Sequence, residues 1–323
     1  MWSMQMKWGK VASGLWIGVW FTGLLFLPRG TNDGPVPTGE TKSSSESLYK
    51  SRLTEANFGL LGVQLYETNE GKRRWNIRAK FAELHRKENY AFLKDVDTDF
   101  FAEKTGNIIN TRSDYGRSLV DKHRVELEGH VTIHSRQGYL FNMERLTYLS
   151  ESHAFTTEER VQMKGPNPQR PQMLIRGTGL QGDIDTEHFF LRRNVSALKK
   201  MKSNEWLRIQ SKSGEFFTQS QRALFNGDVH STLPSMTIES EKFELGVEKN
   251  AERVSADGSV LLYHKDRVAH ANHLEIELGG NTIILEGQAR IDSKGNQIRG
   301  KRILLFTDDD RVEVEEAEGD LSQ

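Results

Sequence analysis

The chain reads as an all-β protein: two tandem antiparallel domains, each a jelly roll or an open sandwich, behind one N-terminal transmembrane helix. Three observations predict this. Apolar and polar residues alternate over most of the sequence after residue 48, a hairpin-sized pattern recurs along it, and the one long uncharged run lies near the N-terminus. Alternation at period 2 is the mark of a strand with one face buried and one in water.

The clearest example spans 124–148. Val125, Leu127, Gly129, Val131 and Ile133 alternate with Glu126, Glu128, His130, Thr132 and His134. After a turn at 135–138 comes a second strand with Phe141, Met143, Leu146 and Tyr148. Its apolar parity slips by one residue between Met143 and Leu146, so the strand must bend or bulge there if all four face one core.

The second half of this hairpin, apolar-x-small-x-x-apolar, recurs. It appears as Ile77-x-Ala79-x-x-Ala82-x-Leu84, Ile175-x-Gly177-x-x-Leu180 and Ile209-x-Ser211-x-x-Gly214-x-Phe216. It returns as Ile238-x-Ser240-x-x-Phe243-x-Leu245, Ala269-x-Ala271-x-x-Leu274-x-Ile276 and Ile298-x-Gly300-x-x-Ile303-x-Leu305. The first half recurs as Gly129-x-Val131, Gly227-x-Val229, Gly258-x-Val260 and Gly287-x-Ala289, the last three at a period of roughly 30 residues. One such unit is too small to bury its apolar face, so neighbours must close a shared core. A sheet grown hairpin by hairpin becomes a long jelly roll or open sandwich.

Residues 1–10 form a short N-terminus with Lys7 and Lys10, and 11–27 carry no charge from Val11 through Trp16 and Trp20 to Leu27. With its flanks this run reaches about 20 residues, enough for one membrane helix. A cleaved signal peptide is the rival, but Pro28-Arg29-Gly30 follows where a small-residue cleavage site would stand. The preceding lysines favour a cytoplasmic N-terminus. Residues 28–47, rich in Pro, Gly, Ser and Glu, read as a flexible linker. A short helix is plausible at 48–57, a polar and basic break lies at 198–204, and the acidic stretch 313–318 is expected to fray. The soluble part then divides into 48–200 and 204–318.

Lys and Arg number 44 against 45 Asp and Glu, and the cations are scattered rather than gathered among aromatics, so no nucleic-acid partner is indicated. The absence of cysteine removes disulfides, thiolate catalysis and Cys-ligated zinc. Phosphate-loop, zincin and nucleophile-elbow motifs are missing. Asp95, Asp97 and Asp99 resemble the start of a calcium loop, but Phe100 stands where glycine is needed and Gly106 where the bidentate Glu belongs. His130 with His134, and His270 with His273, lack the further ligands a metal site requires. Glu126 and Glu128 alternate with core residues and read as a solvated face rather than an acid–base pair. No cofactor and no catalytic residue are expected, and the chain is not read as an enzyme.

The inward residues carry the functional expectation. In the first domain these are Trp75, Ile77, Phe81, Leu93, Val96, Phe100, Leu127, Val131, Ile133, Phe141, Leu146 and Tyr148. In the second they are Val229, Ile238, Phe243, Val260, Leu262, Leu274, Ile276, Leu285 and Ile291. They form either a closed core or an apolar groove for acyl chains. Since each buried CH₂ is worth about 0.8 kcal/mol, a lipid with several acyl chains crosses water only if something shields it, and shielding needs no catalytic group.

Trp75-x-Ile77-x-Ala79, Gly129-x-Val131, Gly138, Leu146-Thr147-Tyr148, Thr156-Thr157, Val161 and Gly177-Thr178-Gly179-Leu180, in this order behind one anchor, resemble the LptC family of lipopolysaccharide-export proteins over about residues 10–198. The remainder, with its Gly-x-Val repeats, is similar to the LptA/OstA-type domain. The resemblance implies LptC/LptA-like jelly rolls, single-pass in the inner membrane with the soluble part periplasmic. It also implies lipopolysaccharide as cargo, the ABC transporter LptB/LptF/LptG as donor, and LptA or other β-jelly-roll bridge components as partners joined end to end by strand pairing. The chain departs from the family by continuing well past the usual LptC end. An anchored β-repeat scaffold that binds envelope polymer is the alternative, and an envelope-glycan hydrolase a third reading that needs a carboxylate pair in a cleft.

Overall fold

A computed structural model describes residues 6–7, 16–21, 58–85, 87–104, 106–248 and 251–317. Apart from a single 3₁₀ turn at Val120–Lys122, every regular element among them is a β-strand. In chain order they are β1 (Met6–Lys7), β2 (Trp16–Phe21), β3 (Phe58–Asn69), β4 (Lys72–His85), β5 (Tyr90–Phe101), β6 (Ile108–Leu119), β7 (Arg124–His134), β8 (Leu140–Leu149), β9 (Ala154–Gly165) and β10 (Met173–Asp183). There follow β11 (His188–Lys200), β12 (Trp206–Ser211), β13 (Ser213–Phe217), β14 (Arg222–Leu233), β15 (Met236–Glu248), β16 (Ala251–His264), β17 (Arg267–Leu278), β18 (Thr282–Ser293), β19 (Asn296–Phe306) and β20 (Val312–Ala317).

The chain forms two compact units. One comprises residues 1–136 and 142–157, the other 137–141 and 158–323. In the first, β3 to β7 run as an antiparallel meander. In the second, β10 pairs with β11, β11 hands on to β12 and β13, and β14 to β20 continue as a meander. Only short loops and no crossovers join the meander strands, as expected when each strand follows its neighbour through a hairpin.

The recurrent motifs are bends. Gly129, Gly227, Gly258 and Gly287 all have φ between +74° and +80°, and the residue after each, His130, Asp228, Ser259 and Gln288, is also left-handed. The ladder shifts register at each of these places, for instance between Asp257 and Val260 where β16 faces β17. Two consecutive left-handed residues turn the strand sharply, and glycine takes the first position at no steric cost. Opposite stand Ser211 and Ser240, the small residues of the other motif, and in the first unit Ser113, which the motif did not single out: each donates an Oγ hydrogen bond of 2.8 Å to the carbonyl two residues on, so the kinked partner strand is held locally as well. The parity slip in β8 is present too, with Glu144 and Arg145 exposed between buried Met143 and Leu146.

Three expectations are modified. The anchor over 11–27 lies largely outside the described residues; the portion within them, Trp16–Phe21, is extended and pairs with Val63–Thr68 of β3, so a membrane helix is not shown. No helix among the described residues is long and apolar enough to cross a membrane. The linker at 28–47 and the short helix at 48–57 also fall outside them. The acidic stretch does not fray through 312–317: it is strand β20, whose Val312 and Val314 alternate with acids that pair with cations on β19, Glu315 with Arg302 at 3.1 Å and Glu316 with Lys301. The break expected at 198–204 is narrower: 198–200 end β11, and 201–205 make a tight turn, with Met201 buried and the turn closed by hydrogen bonds from Met201 N to Glu205 O and from Asn204 N to Met201 O.

Candidate functional site

Strand alternation turns the expected residues inward in each unit. In the first, Trp75, Ile77, Leu93, Val96, Phe100, Leu127, Val131, Ile133, Leu146 and Tyr148 are all buried. Phe100 packs against Tyr148 at 4.3 Å and edge-on to Phe155 at 5.1 Å. In the second unit Phe141 packs tilted against Phe189 at 4.5 Å, and Val229, Ile238, Phe243, Val260, Leu262, Leu274, Ile276, Leu285 and Ile291 are buried as well. Aromatic pairs of this kind add to area burial, so each unit has a cohesive apolar interior.

Phe81 is the exception. Lys80 and left-handed Asp95 are skipped one for one in the β4–β5 ladder, and beyond this kink the facing of β4 inverts, so Ala82 and Leu84 face inward while Phe81 is only half-buried, its ring beside Gly59. The repeat pattern already put Phe81 at a spacer position; its size was the misleading signal. Phe155, Ile109, Phe189 and Phe225 are fully buried and belong to the same interiors. Phe225 was legible in principle, two residues ahead of the Gly227 bend.

Charge lies outside. Arg78 of β4 donates to Asp99 at 2.7 Å and to Asp97, and Asn110 of β6 donates to Asp99, which makes a cross-strand row over the outer face. Burial alone would raise the Asp99 carboxyl, but hydrogen bonds from Arg78, Asn110 and Asn76 outweigh it and hold it below the usual range. These are two of the carboxylates that resembled a calcium loop. Glu126 is likewise taken up, 2.7 Å from Arg124. His273 stands 2.7 Å from Asp257 and His270 3.7 Å from Asp292, each with a strand carboxylate. One buried polar group lies at the end of the first unit: Glu67 accepts from the Trp75 indole N–H and stands 3.2 Å from His123 Nδ1. No sequence signal distinguishes Glu67 from the solvated acids of other strands.

Bent antiparallel strands, apolar within and ion-paired without, define a β-jelly-roll protein. Residues 63–200 match the family described as "Lipopolysaccharide-assembly, LptC-related", and 208–311 match "LptA/(LptD N-terminal domain) LPS transport protein". The chain therefore carries an LptC-related domain followed by an LptA/LptD-N-terminal domain, and both are of transport rather than enzyme families. Among solved structures it is similar to LptH, the LptA-homologous periplasmic component of the lipopolysaccharide transport device from Pseudomonas aeruginosa, at 24% identity over 36% of this chain and 85% of that one, with a TM-score of 0.33. No curated protein matches.

Proposed function

We propose that the chain is an inner-membrane-anchored conduit for lipopolysaccharide. Its N-terminus lies in the cytoplasm, 11–27 span the membrane once, with Trp16–Phe21 leaving the β3 edge to do so, and the two domains, 48–200 and 204–318, stand in the periplasm. It accepts lipopolysaccharide from the LptB/LptF/LptG extractor and passes it toward the outer membrane, to LptA or another jelly-roll component joined by strand pairing. The acyl chains run along the inward apolar residues, from Trp75 to Tyr148 and from Val229 to Ile291.

The observation that carries this reading is that both transport-family regions turn the same alternating apolar register inward around bends of one design. Because those residues pack against one another, acyl chains enter by parting the ring contacts, replacing one apolar neighbour by another at little cost in transfer free energy. Photo-crosslinkers at Phe141 and Val260 then capture lipopolysaccharide in energised membranes. Labelling from outward Thr132 alone sinks the conduit and leaves the envelope scaffold.

A further inference from the structure

The boundary between the two family regions, between 200 and 208, falls inside one compact unit. Three kinds of contact cross it. Along the backbone, β11 pairs through Val195–Lys200 with Trp206–Ser211 of β12 and through His188–Leu191 with β13, while its other edge is taken by β10. In charge, Lys199 Nζ stands 3.2 Å from Glu252 Oε1 with the two side chains 14% and 5% exposed, and Glu252 Oε2 accepts the Lys202 backbone N–H at 3.1 Å. In packing, Tyr139 shares a cavity of about 70 Å³ with Met173, Lys199, Leu245, Gly246 and Glu252. Tyr139 is set there by two glycines, since side chains at Gly138 and Gly165 would strike the Pro166 carbonyl and the Tyr139 ring.

A swivel at the boundary would have to break the β11–β12 ladder and leave a desolvated charge without its partner, which is the costly way to disrupt a buried pair. An edge strand is also the template on which a foreign strand adds. We infer that the LptA-like region is docked in cis on the last strands of the LptC-like region as a fixed extension. It occupies the edge that β11 would otherwise offer to a foreign strand, so an incoming jelly roll joins elsewhere on the chain. The identity of that partner rests on the conduit reading; the joint does not.

The absence of native cysteine makes the test clean. Spin labels at Gln181→Cys and Asn296→Cys in the full chain give one narrow distance distribution, and Glu252→Gln broadens it while lowering the melting midpoint by roughly 6–12 °C. Adding Lys199→Met to Glu252→Gln recovers part of that midpoint, because no unpaired charge is left. A broad distribution in the unsubstituted chain overturns the joint, as does a double variant no better than the sum of its singles. Lipopolysaccharide capture is scored separately: a narrow distribution in a chain that captures none keeps the joint and removes the conduit.

Discussion

Asp114 and His130 face each other across the first bend, Oδ2 to Nδ1 at 2.6 Å, and Asp114 also occupies the place where a side chain on Gly129 would go. The same arrangement recurs in the second unit, where Lys212 fills the space beside Gly227 and pairs with Asp228 at 2.7 Å. A Cβ on Gly129 would come within 2.7 Å of the Asp114 carboxylate at a φ of +79°. Gly129→Val is therefore expected to lose about 2–4 kcal/mol, combining left-handed strain with overpacking. Gly246→Ala is the control: nothing lies within 4 Å of its Cβ and its φ is ordinary, so its urea midpoint stays within about 0.5 kcal/mol of the parent. Equal effects at the two glycines would remove the bend as the cause.

The Asp114 hydrogen bond and charge raise the His130 pKa above its ordinary value. A raised folded pKa means that the bond stabilises fully below the ordinary histidine value of about 6.5 and fades as pH rises through the folded one. His130 is largely exposed, with 88% of its side chain accessible, so the gain is about 0.3 kcal/mol at most. A proton NMR titration of the imidazole reads it directly. Asp114→Asn should bring His130 back down while leaving His134, which burial holds low, where it is.

Asp99 gives the opposite dependence. Its lowered pKa means that the Arg78–Asp99–Asn110 row stabilises above the ordinary aspartate value of about 3.9 and is lost as pH falls through the depressed one. Asp99→Asn should cost about 1 kcal/mol at neutral pH, and the gap from the parent should close in acid. A gap unchanged from neutral to acid pH would mean that the row contributes by packing alone.

Much of this was legible in the sequence because period-2 alternation and left-handed glycines are local properties of the chain. Val131, Ile133 and Leu274 announce their burial through their immediate neighbours. Phe81 does not, because the kink at Lys80 and left-handed Asp95 inverts its facing. The Glu252–Lys199 pair and the burial of Glu67 are long-range facts: nothing near residue 252 in the chain shows that residue 199 will lie beside it. The acidic strand β20 was misread for the same reason, since its cations lie on β19.

Ile133 has no exposed surface. Ile133→Asp buries a charge without a partner and should cost about 4 kcal/mol or more, whereas Ile133→Met keeps volume and apolarity and should cost less than about 1.5 kcal/mol. Melting and lipopolysaccharide capture must be read together. Capture lost in the Met variant at an unchanged midpoint marks a lipid contact; capture that falls only in step with melting marks Ile133 as core.

Gly300 and Val314 settle whether β20 is an independent closing strand. A Cβ on Gly300 would land on Val314 Cγ1, so the glycine provides the seat into which β20 packs. The Val312–Ala317 strand is otherwise held by one ladder and exposed ion pairs, which are weak in water. Gly300→Val should therefore release β20 while β14 to β18 stay folded: amide exchange at 312–317 accelerates toward unprotected rates, the buried amides at Ile276 and Leu285 keep theirs, and the global midpoint falls by no more than about 1 kcal/mol. If protection is lost across the whole second unit, Gly300 belongs to the common core and β20 folds with it as one cooperative element.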